Sequence, residues 1–178
     1  MRELKTIFFV ITIFYLSTQV WSQNANSGQK KSSDSLPAFN NKNSAKVDAI
    51  ISYAKTFMGT PYQWGGTTPS GFDCSGFINY IFGNFGFQLT RTSYNLAELG
   101  ETIKLDDLQP GDLMFFRGSA NGGGVAHVAM VIEVSPDAIR FIHSSTSRGV
   151  TVDNFKTSKY YISRYVKAKR LDYGAAKH

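Results

Sequence analysis

The stretch "FDCSGFINYIFG", Phe72 to Gly83, holds the single cysteine of a 178-residue chain. Cys74, Phe77, Ile78, Ile81 and Phe82 recur at helical spacing. They therefore share one face of a helix that starts near Cys74 and ends near Gly83 or Gly86. Asp73 stands where an N-cap belongs. A cysteine in that first turn meets unpaired N–H groups and the positive end of the helix dipole, both of which favour a thiolate over a thiol. Gly76 lets a neighbouring chain approach. One cysteine allows no internal disulfide, so Cys74 is either a small buried hydrophobe or a group that is used.

Upstream, Val47, Ile50, Ile51, Ala54, Phe57 and Met58 also follow helical spacing, with Ser44 as N-cap and Gly59 as terminator. "GTPYQWGGTTPSG", Gly59 to Gly71, reads as a turn-rich loop between the two helices. Downstream, Ser93 to Leu99 suits a third, short helix, and then the pattern becomes strand-like. "GDLMFF" (Gly111 to Phe116), "VAHVAMVIEV" (Val125 to Val134), "IRFIHSS" (Ile139 to Ser145), "GVTV" and "YYISRYVKAKRL" read as strands. "NGGG", Asn121 to Gly124, reads as a flexible loop, and "SPDA" as a hairpin turn. Helices first and an antiparallel meander after them place the chain in the α+β class.

The amino terminus sets the compartment. A short basic start, the apolar run "TIFFVITIFYL" (Thr6 to Leu16) and the small residues of "STQVWSQ" read as a secretory signal peptide over residues 1–22. Residues 23–44, rich in Ser and Asn, read as a flexible tether. The folded domain is expected over residues 45–173, with a tail at 174–178. Removing residues 1–22 leaves 17 basic against 12 acidic residues, a balance suited to anionic envelope polymers or simply to solubility. No stable membrane anchor, no nucleic-acid partner and a monomer are expected.

The chain has three histidines, and His178 belongs to the basic tail. His127 and His143 fall on the two strands of one hairpin. If Ser135 pairs with Ala138, the two rings point to opposite faces. If a three-residue loop or a bulge shifts the register by one, His143 faces Ala129 and both rings share a face, with their backbone positions roughly 7–8 Å apart along the diagonal. Cysteine acyl transfer needs a thiol, an imidazole and a group that orients the imidazole, so the shifted register is expected.

"GTPYQWGG", "DCSGF", "LTRTS", "LQPGDLMFF", "AHVAMVIE", "FIHSSTSRGV" and "YYISRYVKAKR", in that order, resemble the NlpC/P60 family of cell-wall cysteine peptidases over about residues 45 to 171. The resemblance implies a papain-like core with N-terminal helices packed on an antiparallel sheet. It implies Cys74 as nucleophile, His127 as general base and acid, and His143 as the residue orienting His127. It also implies Tyr62 near the oxyanion, and Asp73 and Ser75 near the free amine of a substrate peptide. The activity implied is hydrolysis of peptidoglycan stem peptides or muropeptides by an exported endopeptidase, periplasmic or secreted. The bond is the γ-D-glutamyl–diaminopimelate bond or a cross-link, and neither cofactor nor metal is needed. Two other readings use the same residues: a zinc hydrolase liganded by Cys74, His127 and His143, and a wall-binding module with a degenerate site. Trp64 is expected to cover the core. Arg91 suits either a substrate carboxylate or a surface or capping role. Lys167, Lys169 and Arg170 suit a solvated face or contact with wall polymer.

Overall fold

The computed structural model describes residues 37–174. Residues 1–22, read as a signal peptide, residues 23–36 of the stretch read as a tether, and residues 175–178 with His178 lie outside the described residues. Helix α1, Pro37–Lys55, begins inside the stretch read as tether, so Ser44 lies within the helix rather than at its cap. Val47, Ile50, Ile51 and Ala54 are buried along its stripe. Helix α2 spans Cys74–Gly83 and buries Cys74, Phe77, Ile78, Ile81 and Phe82, the face expected from their spacing. Helix α3, Ser93–Leu96, is capped by the Thr92 side chain, which accepts from the Asn95 N–H.

Between α1 and α2 a two-strand ribbon forms from β1, Thr67–Thr68, and β2, Gly71–Phe72. The main sheet contains β3 (Glu101–Ile103), β4 (Leu113–Ser119), β5 (Gly122–Val134), β6 (Ile139–Ser145), β7 (Gly149–Asn154) and β8 (Tyr165–Arg170). Its order is β3-β8-β4-β5-β6-β7, with every neighbouring pair antiparallel. The class is α+β, as the order of patterns implies.

Three segments depart from the sequence reading. The glycine run expected to be a loop opens β5 instead, Gly122 pairing with Ser119 and extending the β4–β5 hairpin. The segment "YYISRYVKAKRL" is not one strand. The Ser158 side chain accepts from the Tyr161 N–H and starts α4, Lys159–Ile162, before β8 begins at Tyr165. Short β3, with no apolar alternation to announce it, pairs with β8.

Alternation along the strands feeds two apolar layers. Leu113, Phe115, Val128, Met130 and Ile142 face α1 and α2, packing with Ile50, Phe77 and Ile81. Met114, Phe116, Ala129, Val131 and Phe141 face the other way, against Ile103, Phe155 and Tyr161. The basic ending of the chain is partly drawn into contacts within the fold. Arg170 donates from Nε to the buried Asp112 carboxylate at 2.7 Å, Lys167 pairs with Glu98 at 2.8 Å, and Lys169 is buried with Nζ 3.3 Å from the Gly100 carbonyl. Strand β7 is covered on its outer side, where Val150 N–H donates to Thr60 O and Gly59 N–H to Val150 O, both at 2.8 Å.

Gly76 meets the expectation of close approach. A Cβ there would sit 2.0 Å from the Gly66 carbonyl oxygen, which accepts from Asp73 N–H at 3.0 Å. Because the obstacle is backbone, Gly76→Ala is expected to cost about 3 kcal/mol or more of stability. A urea-denaturation midpoint indistinguishable from that of the parent would refute this packing account.

Candidate active site

The β5–β6 hairpin closes on a tight turn, with Ser135 N–H donating to Ala138 O at 2.8 Å. Val134 then pairs with Ile139 and Glu133 with Arg140, but the next pair is Val131 with Phe141, leaving Ile132 as a bulge. The bulge makes the one-residue shift. Carried one step beyond Met130↔Ile142, the register sets His143 against Ala129, on the face of His127. The rings meet edge to face, with centroids 4.9 Å apart and His127 Nε2 2.8 Å from His143 Nδ1.

Beyond the Met130–Ile142 pair the two strands part, and the start of α2 enters there. The Ser144 hydroxyl donates to the Phe72 carbonyl at 2.8 Å, and the Cys74 thiol is directed at the Ala126 carbonyl, 3.9 Å away and one residue from His127. Cys74 and His127 line one cavity of about 550 Å3 together with Tyr62. His143 is fully buried behind His127.

Behind His143 stands a residue the sequence did not single out. His143 Nε2 lies 2.8 Å from Asp153 Oδ2, which also accepts from Arg148 at 2.6 Å. The Tyr161 hydroxyl is 3.3 Å from the same ring nitrogen. The signal for Asp153 is readable only once β6 and β7 are paired. His143 sits opposite Thr151, and Asp153, two residues along β7, returns to that face.

The charges order the row. The hydrogen bond from His143, reinforced by Arg148, holds Asp153 down to about 2, against the effect of its burial. Burial, reinforced by the neighbouring His143, pushes His127 down to about 3, and burial lowers His143 against the pull of Asp153. The His127 ring is mostly enclosed, with its edge reaching the cavity. Both rings are therefore neutral near pH 7, and the proton positions follow from the acceptor at the end. Asp153 accepts, so His143 carries its proton on Nε2 and accepts at Nδ1. His127 then carries its proton on Nε2, which leaves its Nδ1 as a free base.

Burial pushes the Cys74 thiol up. The N–H groups of Val128, Ser75 and Cys74 pull the other way, while the Asp73 carboxylate adds to the rise. The sequence reading expected the helix start to favour a thiolate. In the folded chain, the enclosure of the sulfur and the acid capping that helix work against it. Both shifts favour a thiol beside a neutral imidazole at rest.

Asp73 caps α2, accepting from Gly76 N–H at 2.6 Å. Burial works against its charge, yet hydrogen bonds from Arg91 and Gly76 hold its carboxyl below the usual range. Arg91 binds Asp73 in a fork and also donates to Ser75 Oγ at 2.9 Å, so the carboxylate it meets is the chain's own. Asp73 and Ser75 are both buried in this cluster. Burial and the nearby Cys74 and Asp73 raise the Tyr62 hydroxyl, which stays a hydrogen-bond donor. Trp64 does not cover the core. It is 89% exposed and lines the cavity, carried outward by a loop whose Gly65 has φ 74°. Among the described residues, no three His, Cys, Asp or Glu side chains are grouped to hold a metal ion.

Two histidines held neutral make stability depend on pH. Their pKa values are depressed in the folded chain, so below the unfolded value of about 6.5 the unfolded chain binds more protons. Stability is full above that value and falls as pH drops, by up to about 1.4 kcal/mol per pH unit for each ring. Denaturant unfolding at pH 7 and pH 5 is expected to show the loss. A flat profile would contradict buried neutral rings.

The sequence profile of the NlpC/P60 family matches residues 59–170. The chain is 36% identical over 126 residues to a gamma-DL-glutamyl hydrolase of Bacillus subtilis, covering 70% of this chain and 30% of that protein. It is also 36% identical over 123 residues to the Escherichia coli murein DD-endopeptidase MepS/murein LD-carboxypeptidase, covering 68% of this chain and 61% of that protein. The chain thus spans under two thirds of the length of either relative. A crystal structure of an NlpC/P60 family protein from Bacillus cereus superposes with a TM-score of 0.64 at 36% identity, over 70% of this chain and 40% of that one.

Proposed function

The chain belongs to the NlpC/P60 family, and on that footing we propose that it is an exported cysteine endopeptidase that hydrolyses peptidoglycan stem peptides at the γ-D-glutamyl–diaminopimelate bond. The observation that carries this reading is the row Asp153–His143–His127, which ends on a free imidazole nitrogen in the cavity that Cys74 lines. The γ-glutamyl bond is chosen on the likeness to the Bacillus subtilis hydrolase. Export is chosen on residues 1–22 and on where the polymer lies. Residues 23–36 as tether, a catalytic domain that α1 opens and that runs to residue 173, and a monomeric state complete the proposal. No described helix is long and apolar enough to cross a membrane.

In this mechanism His127 Nδ1 takes the thiol proton as Cys74 sulfur attacks the scissile carbonyl, so thiolate forms only as it is used. The Cys74 backbone N–H and the Tyr62 hydroxyl stabilise the oxyanion. The imidazolium passes its proton to the departing amine, leaving a thioester, and then activates water to release the acid. His143 accepts from His127 Nε2–H throughout, and Asp153 holds His143 in the tautomer that can do so.

Asp153→Asn removes that preference, because an amide presents either a donor or an acceptor to His143. Acting through another ring, Asp153 is a positioning residue. The expected result is a fall in kcat of about tenfold to a hundredfold, the scale of losing an outer hydrogen-bond partner, with KM little changed. An unchanged kcat across pH 6–8 would remove Asp153 from the account.

The deciding experiment incubates the protein with defined muropeptides and identifies the products by mass. Release of a fragment ending in γ-D-glutamate supports the assigned bond. Cleavage of cross-linked dimers alone replaces it with the cross-link reading. Inactivation by iodoacetamide and survival in chelator support thiol chemistry, whereas the reverse pattern supports a zinc hydrolase.

A further inference from the structure

The cavity beside Cys74 is unevenly charged. Three arginines line it, Arg117, Arg148 and Arg164, against one acid, Asp153. Arg148 is spent on Asp153, at 2.6 Å. The other two guanidinium groups face no carboxylate among the described residues. Arg117, on β4, makes no side-chain hydrogen bond or ion pair there. Arg164, just before β8, stacks its guanidinium over the Tyr160 ring at 3.8 Å and reaches only the Tyr160 carbonyl, at 3.3 Å. Nε of both arginines is buried without a partner. Each residue is half-buried, so what it presents to the cavity is the outer part of the guanidinium on a packed stem.

The backbone ties the two together, since Arg117 N–H donates to Arg164 O at 2.9 Å. It also fixes which side of the site they occupy. Phe116 pairs with His127, and Arg117 is the next residue on β4. The pair therefore flanks the ring that hands a proton to the departing amine. The cluster of Asp73, Ser75 and Arg91 on the cysteine side is already neutralised internally.

We propose that Arg117 and Arg164 form a carboxylate-binding subsite on the leaving-group side of the cavity, selecting stem peptides whose diamino acid carries a second carboxylate, diaminopimelate, over those with lysine. Unpaired guanidinium groups on restrained stems suit a carboxylate, which they can bind through two parallel N–H donors. Diaminopimelate brings its side-chain ammonium together with a carboxylate, whereas a lysine side chain brings the ammonium alone, a positive charge with nothing to offset it beside two guanidinium groups. The proposal rests on the stem-peptide reading of the site.

The test uses the Cys74→Ala protein, so that ligand is not consumed, and calorimetric titration with three peptides: L-Ala-γ-D-Glu-diaminopimelate, its side-chain carboxamide, and the lysine counterpart. The acid is expected to bind at least about tenfold tighter than either of the others, equivalent to about 1.4 kcal/mol. Arg117→Gln and Arg164→Gln are each expected to narrow that gap to less than about threefold, since one opposed guanidinium carries about half of it. Equal affinity for all three peptides, or no binding of any, overturns the proposal without reference to a variant. Arginine variants that keep the full gap overturn it as well. The bond cut is read separately, by mass, with the unmodified protein. A protein that prefers the acid but cuts elsewhere keeps the subsite and loses the bond assignment. One that cuts the γ-glutamyl bond without discrimination keeps the assignment and loses the subsite.

Discussion

Cys74→Ala is expected to lower muropeptide hydrolysis by about ten-thousandfold or more, the scale of losing a nucleophile from a site whose parts act as a unit. The fold is expected to survive. Cys74 is 7% exposed and the one hydrogen bond of its thiol is a long contact to Ala126 O at 3.9 Å, so its loss opens a small gap without stranding a strong partner. A calorimetric melt within a few degrees of the parent separates lost chemistry from lost structure. Hydrolysis at the parent rate would end the thiol mechanism.

The second large effect is expected at His127. His127→Ala removes both the base that takes the thiol proton and the acid that releases the amine, and kcat is expected to fall about a thousandfold. The loss should be steeper here than in a site whose thiolate is already formed at rest. With burial holding the sulfur protonated and His127 neutral, no standing ion pair is left to react once the ring is gone. Raising the pH should restore part of the lost rate, as hydroxide in solvent replaces the missing base. Single-turnover rates measured from pH 7 to pH 10 check this. A variant whose kcat stays within tenfold of the parent at pH 7 would remove His127 from the proton path.

Much of this was legible because it depends on local spacing. The apolar face of α2 and the capping role of Asp73 follow from residues within a turn of one another, and the close approach at Gly76 from the residue type alone. The shared face of His127 and His143 was legible as a condition, but the device that meets it was not. A bulge at Ile132 leaves no mark in an unbroken run of apolar residues. Asp153 was missed because it joins the row only through the pairing of β6 with β7, a contact between strands rather than along one. Trp64 was misplaced because an aromatic residue beside glycines reads as a plug, whereas the backbone turn at Gly65 points it into the cleft. The internal contacts of the basic ending were missed for a similar reason, because the partner of Arg170 is Asp112, 58 residues away in sequence. The ionisation of Cys74 failed differently. The helix dipole was correctly located, but enclosure and a capping acid work against it, and neither strength is readable from the order of residues.

The covering of β7 by the loop at Gly59 and Thr60 bears on how copies of this protein meet one another. An open sheet ends in two rows of unpaired backbone groups, which serve as templates for adding a further strand. Here one border is only three residues long, at Glu101–Ile103, and the other is stitched to the same molecule at Val150. Edge-to-edge stacking therefore meets a shortened template at both borders of the described fold, even where many copies crowd along one polymer.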